Sequence, residues 1–161
     1  MSSIKNKFTL NTVLIFSVFA LITAYFIQYI LGHEPCNLCL IERIPYLAAI
    51  ILISLIFIIN KFEKIISLIV GLFFIFGAFI SFYHFGIEQG FFSESLVCDL
   101  GNSNKATSAQ DLLKQLEKKT VSCKDVTFKI LGLSLATFNT IISFTISAII
   151  FKIVINYDKN K

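Results

Sequence analysis

A chain of 161 residues that is 56% hydrophobic, with 18 Phe and only 15% charged residues, is not composed like a soluble globular domain; its solvent is lipid. Its formal net charge of +4 is carried by lysines that cluster on one side of a membrane, so it calls for no acidic partner and gives no sign of a nucleic-acid one. There is no internal repeat, low-complexity tract or phosphate-binding glycine pattern, which leaves one domain over residues 1–161 and no nucleotide fold.

The apolar residues fall into four stretches of about the ~20 residues that a helix rising ~1.5 Å per residue needs to cross the hydrocarbon layer. The first runs from Leu10 to Leu31, behind Lys5 and Lys7. Its apolar core is longer than that of a secretory signal, and Gln28-Tyr29-Ile30-Leu31 lacks the small residues of a cleavage site, so it is expected to remain as a span.

The segment 32–43 follows, reading G-H-E-P-C-N-L-C-L-I-E-R. Pro35 disfavours helix for Glu34 before it and suits a helix start after it, which places Cys36 near the N-terminus of the second helix. Unsatisfied amides there favour a thiolate, the reactive form of cysteine. Arg43 lies four residues beyond Cys39, a spacing that puts both side chains on one helical face and a permanent cation towards the second sulfur. Without the cysteines Arg43 would read as a snorkelling residue at a membrane boundary; beside them, a cation that stabilises a thiolate at Cys39 together with a bound oxyanion or carbonyl is the preferred reading, and Glu42 reads as an interfacial charge.

The second span covers Ile44 to Asn60, and Lys61, Glu63 and Lys64 then form a turn too polar for lipid. The third covers Ile65 to Tyr83. His84 and Glu88 follow it, four residues apart, read as a capping or interfacial pair with a minor claim to be a proton relay.

The segment 84–129 is too long for a mere connector in a compact bundle. It holds Cys98 and Cys123, with Gly101-Asn102-Ser103-Asn104 between them as a turn. Ser108 to Asp111 resembles a capping box, followed by an amphipathic run of Leu112, Leu113 and Leu116 against Lys114, Glu117, Lys118 and Lys119, expected as a short interfacial helix. The last span runs from about Ile130 to Ile155. The fold class is therefore all-α: an integral membrane four-helix bundle with a long outer loop carrying a short interfacial helix.

Lys5, Lys7, Lys61, Lys64, Lys152, Lys159 and Lys161 make up seven of the 14 Lys and Arg within about twenty residues, which puts both termini in the cytoplasm by the bias of cations. All four cysteines then lie in the two outer segments, where disulfides persist.

Spacing favours pairing Cys36 with Cys39 and Cys98 with Cys123 among three possible connectivities. A Cys-x-x-Cys ring exchanges readily, so redox use outweighs a structural staple for the first pair. For the second pair, taken alone, the staple is preferred: closing a loop of ~25 residues is worth roughly 3 kcal/mol. Zinc is disfavoured, because the second pair lacks knuckle spacing and Arg43 would repel a divalent ion.

The string P-C-N-L-C-L-I-E-R between the first two spans, with a second cysteine pair between the last two, resembles the DsbB family along the whole chain. Y-H-F-G-I-E-Q-G-F-F resembles that family's loop entry more weakly, and residues 101–122 follow no pattern that aligns with it. The resemblance implies a bacterial inner-membrane thiol oxidoreductase with catalytic Cys36, Cys39, Cys98 and Cys123. Cys39 would face a quinone, either ubiquinone or menaquinone, that Arg43 helps to hold. Cys98 and Cys123 would shuttle reducing equivalents from a periplasmic thioredoxin-fold partner resembling DsbA, with Cys98 forming the mixed disulfide. No metal is implied. The alternatives are an enzyme resembling the vitamin K epoxide reductase group and a non-enzymatic membrane scaffold with structural disulfides.

Overall fold

The computed structural model describes residues 2–59, 62–93, 98, 123, 129–130 and 133–159. The expected interfacial helix over 108–119 lies outside these residues. Helix α1 is Ser2–Tyr29, α2 is Asn37–Ile41, α3 is Ile44–Ile59 and α4 is Glu63–Glu88. Strand β1 is Lys129–Ile130, β2 is Leu133–Ser134 and α5 is Leu135–Lys159. The architecture is all-α apart from that two-residue antiparallel pair, in which Lys129 faces Ser134 and Ile130 faces Leu133.

Among the described residues, four helical stretches are long and apolar enough to cross a membrane: Asn6–Tyr29, Asn37–Ile59, Glu63–Glu88 and Leu135–Asn156. Their outward faces carry Phe19, Ile58, Phe79 and Phe144, each more than 60% exposed. In water a monomer would not tolerate so continuous an apolar surface; in lipid it is the expected one.

The bounds depart from the expected spans for local reasons. The first helix starts well before Leu10, because a helix need not stop where the hydrocarbon does. The third runs on through His84 to Glu88, because those two side chains are buried against partners rather than released at the interface. The last begins at Leu135 instead of Ile130, since residues 129–130 and 133–134 pair as strands and the Ser134 hydroxyl accepts from the Thr137 amide at 3.3 Å, satisfying one of the open donors of the first turn.

Helix α4 packs along α5 and against α3, and α1 packs on α3. A core of Leu10, Tyr46, Ile53, Phe74 and Ile150 runs through this arrangement, with Tyr46 edge-on to Phe74 at 5.4 Å between ring centroids. Lipid is as apolar as these side chains, so burial alone gives little drive for helices to meet, and close backbone approach matters more. A Cβ on Gly77 would meet Pro45 Cγ at 2.7 Å, and one on Gly71 would sit 3.3 Å from Ile150 and Phe151. Some hydroxyls within the spans are satisfied by their own helix, as where Ser17 donates to the Val13 carbonyl at 2.8 Å, while Ser147 of α5 donates across to the Gly71 carbonyl of α4 at 3.4 Å.

Because the Pro45 ring cannot swing away, Gly77→Val should cost about 1–3 kcal/mol through overpacking and lower the unfolding temperature in detergent. An unchanged melting curve would show that α3 and α4 do not approach at this point.

Candidate active site

Pro35 ends an extended stretch and Cys36 then caps α2 with extended backbone, its sulfur accepting from the Cys39 amide at 3.2 Å. This local bond brings the two sulfurs together, 2.7 Å apart, and both cysteines are free. Cys98 and Cys123 are joined as a disulfide with Cα atoms 5.8 Å apart. Cys36, Cys98 and Cys123 belong to one buried cluster with Leu38 and Ile87, and Cys39, Ile80 and Tyr83 pack against it.

Helix α2 stops at Ile41, and the chain turns at Glu42 and Arg43 before α3 begins. The turn separates two charges that a continuous helix would have set side by side. Arg43 points to α1, where its Nη1 donates to Gln28 Oε1 at 2.7 Å and its guanidinium lies 5.1 Å above the centre of the Tyr25 ring. Its immediate contacts are thus with α1, and the expected pairing with the Cys39 sulfur gives way to a shared cavity.

Glu42 turns inward and is 8% exposed. His84 Nδ1 donates to its Oε1 at 2.7 Å, and Asn139 Nδ2 to its Oε2 at 2.8 Å. The same amide nitrogen donates to Ser81 at 2.7 Å, while Tyr46 donates to the Asn139 side-chain oxygen at 2.5 Å. The other face of His84 looks at sulfur: Nε2 is 3.6 Å from Cys36 Sγ, and 3.7 Å from Glu88 Oε1 on the next turn of α4. An imidazole held on one edge by a carboxylate presents its second nitrogen in a fixed direction. Here that direction is the Cys36 sulfur.

Cys36 lies just outside the apolar spans, and its thiol is held well below the usual range, at about 5. The largest cause is the hydrogen bond from the Cys39 side chain, which favours the thiolate; burial opposes it, and the His84 ring adds a further favourable contact.

A cavity of about 410 Å³ opens beside these groups. Phe16, Ala20, Ala24 and Ile27 of α1 and Phe138 and Ile142 of α5 form its apolar walls. Cys36, Cys39, Arg43, His84, Glu88 and Cys123 line its polar end. Of the second pair it is Cys123 that reaches this cavity. Sequence reading singled out Cys36, Cys39 and Arg43 but gave Glu42 an interfacial place and did not weigh Asn139. For Asn139 the available signal was an amide side chain inside an apolar stretch, which is costly there and therefore marks a site.

The family model described as "Disulfide bond formation protein DsbB" matches residues 6–153. An uncharacterized protein of Rickettsia prowazekii (strain Madrid E) is 31% identical over 137 residues, which is 83% of this chain and 80% of the relative.

With a thiol at about 5, alkylation of Cys36 in the reduced protein should stay fast from pH 8 to pH 6 and fall as pH drops through that value, because only the thiolate reacts. His84→Ala should move the midpoint upward. A wild-type midpoint near the ordinary ~8.5 would contradict the geometry.

Proposed function

As the chain belongs to the DsbB family of disulfide bond formation proteins, membrane oxidoreductases that generate disulfides, we propose that it re-oxidises a periplasmic thioredoxin-fold dithiol protein resembling DsbA and passes the electrons to a membrane quinone. It works as one membrane domain in the bacterial inner membrane, with both termini in the cytoplasm. The observation that carries this reading is the apolar cavity between α1 and α5, whose polar end gathers Cys36, Cys39, Arg43 and Cys123. A volume of about 410 Å³ walled by Phe16, Ala20 and Ile142 fits a substituted ring and the start of its tail. A bound quinone, ubiquinone or menaquinone, supplies the two-electron acceptor.

A partner thiolate attacks Cys98 of the Cys98–Cys123 disulfide, and the partner's second thiol resolves the mixed disulfide, leaving the partner oxidised and this pair reduced. Cys123, the member of the pair within the cavity, then attacks Cys36 of a Cys36–Cys39 disulfide and displaces Cys39. Cys98 resolves that intermediate, so the outer disulfide re-forms and Cys36 and Cys39 carry two electrons and two protons. Cys39 faces the cavity and delivers the electrons. Arg43, anchored by Gln28 and Tyr25 and lining the cavity, would hold a bound quinone and offer it a fixed positive charge. His84, steadied by Glu42, orients towards Cys36 and keeps its sulfur reactive.

Purified protein should oxidise a reduced thioredoxin-fold partner only when ubiquinone or menaquinone is present. Cys39→Ser and Cys36→Ser should abolish that flux while leaving helical content intact. Arg43→Ala should lower it on the order of 100-fold, chiefly through the quinone step. Normal turnover in Cys39→Ser, or failure with both quinones, would end this reading.

A further inference from the structure

We propose that the reduced dithiol, together with His84 and Glu88, forms a binding site for a thiophilic divalent cation, with Zn2+ the best match. Cys36 Sγ, Cys39 Sγ and the nearest nitrogen of His84 all lie within 4.8 Å of one another. Tetrahedral zinc with Zn–S of about 2.3 Å and Zn–N or Zn–O of about 2.0–2.2 Å requires ligand atoms roughly 3.3–3.8 Å apart. The separation of Cys36 Sγ from His84 Nε2, 3.6 Å, and that of His84 Nε2 from Glu88 Oε1, 3.7 Å, already meet this. The two sulfurs, at 2.7 Å, need to part by about 1 Å, which side-chain rotation of the half-buried Cys39 supplies.

Two further features point to a cation. The Glu88 side chain is only 6% exposed and its Oε2 has no hydrogen-bond partner, so a buried carboxylate oxygen is left to be satisfied at the polar end of the cavity. His84 is also held as a metal-binding histidine is held: its other nitrogen donates to a carboxylate, Glu42, at 2.7 Å, which fixes ring orientation and strengthens the free nitrogen as a donor. The Cys39 amide donating to Cys36 Sγ at 3.2 Å stabilises a ligating thiolate in the same way.

Of the two reasons that weigh against zinc in the sequence, one falls away and the other weakens in this arrangement. Cys98 and Cys123 are bonded to each other and are not needed as ligands, and the Arg43 guanidinium, though it keeps its charge, has its hydrogen bond and ring contact with Gln28 and Tyr25 of α1 rather than with either sulfur. Binding is an exchange of protons for metal: the ion takes two thiolates and displaces the proton of the Cys39 thiol and the one held between Cys36 and His84 Nε2, with no change of oxidation state. A Cys36–Cys39 disulfide has no thiolate to offer, so the site exists only in the reduced form. Occupancy ties up both sulfurs and arrests thiol–disulfide exchange, a brake that engages when electrons cannot leave. The binding itself does not depend on the quinone reading.

The test uses the full chain in detergent, reduced and freed of reductant without oxygen, with zinc chloride as the probe and elemental analysis after desalting. Reduced protein should retain one zinc per chain and protein oxidised at Cys36 and Cys39 none. Cobalt(II) in place of zinc should give thiolate charge-transfer absorption with intense tetrahedral bands. Glu42→Gln should weaken zinc 10–100-fold, as loss of an orienting carboxylate does, and Glu88→Gln should weaken it and alter the cobalt bands. The double variant Cys98→Ser with Cys123→Ser should bind as wild type does. Absence of retained zinc in the reduced protein, equal retention in both redox states, octahedral cobalt spectra, or loss of binding in the Cys98/Cys123 double variant would each overturn the site. These readouts are independent of turnover, so a failed quinone assay leaves them intact.

Discussion

The hydrogen bond from His84 Nδ1 to Glu42 Oε1, 2.7 Å long with both side chains under 10% exposed, joins the turn between α2 and α3 to the last turns of α4. Asn139 completes the tie from α5 by donating to the other carboxylate oxygen. Three chain segments with little apolar reason to prefer one another in lipid are thereby fixed in register. Removing one member would strand a polar group in a medium without water, a cost of several kcal/mol. This tie also fixes the ring of His84, which is locked on one edge and meets the Cys36 sulfur with the other.

The paired cysteines Cys36 and Cys39 consequently lie at the seam between two solvents. The amide of Cys39 and the side chains of Cys39 and His84 stabilise negative charge on Cys36 from within the protein, so its thiolate does not rely on water. One step deeper, the cavity walls become Phe16, Ala20 and Ile142, surfaces suited to a ring that arrives by diffusion in lipid. The Cys98–Cys123 disulfide packs on the same cluster. A non-enzymatic scaffold has no use for this grading from thiolate to apolar wall, and family membership points the same way.

The four helices and the two cysteine pairs were legible in the amino-acid sequence because lipid imposes a simple rule on length and apolarity, and because Pro35 announces a helix start next to Cys36. The bounds were less so. Apolar content ended the third span at Tyr83, yet α4 continues to Glu88, since His84 and Glu88 find partners that a hydropathy reading does not see. The four-residue spacing of Cys39 and Arg43 suggested one face of one helix, but the turn at Glu42 and Arg43 rotates the cation onto Gln28 and Tyr25 and the carboxylate inward. Which charge goes in and which goes out depends on what α1, α4 and α5 present at that level, information spread over residues 25 to 139. Asn139 is the clearest omission: an amide within an apolar helix is itself a sign of a polar partner buried elsewhere.

The claim on which the rest converges is that a quinone occupies the cavity between α1 and α5 with its ring at Cys39. Photolabelling the purified protein with a light-activated ubiquinone analogue, followed by peptide mapping, tests it most directly. Label should fall on the stretch from Phe16 to Arg43 and on the start of α5 near Phe138 and Ile142, and excess ubiquinone should displace it. Label confined to outward residues such as Phe79 and Phe144, or label that ubiquinone does not displace, would contradict it.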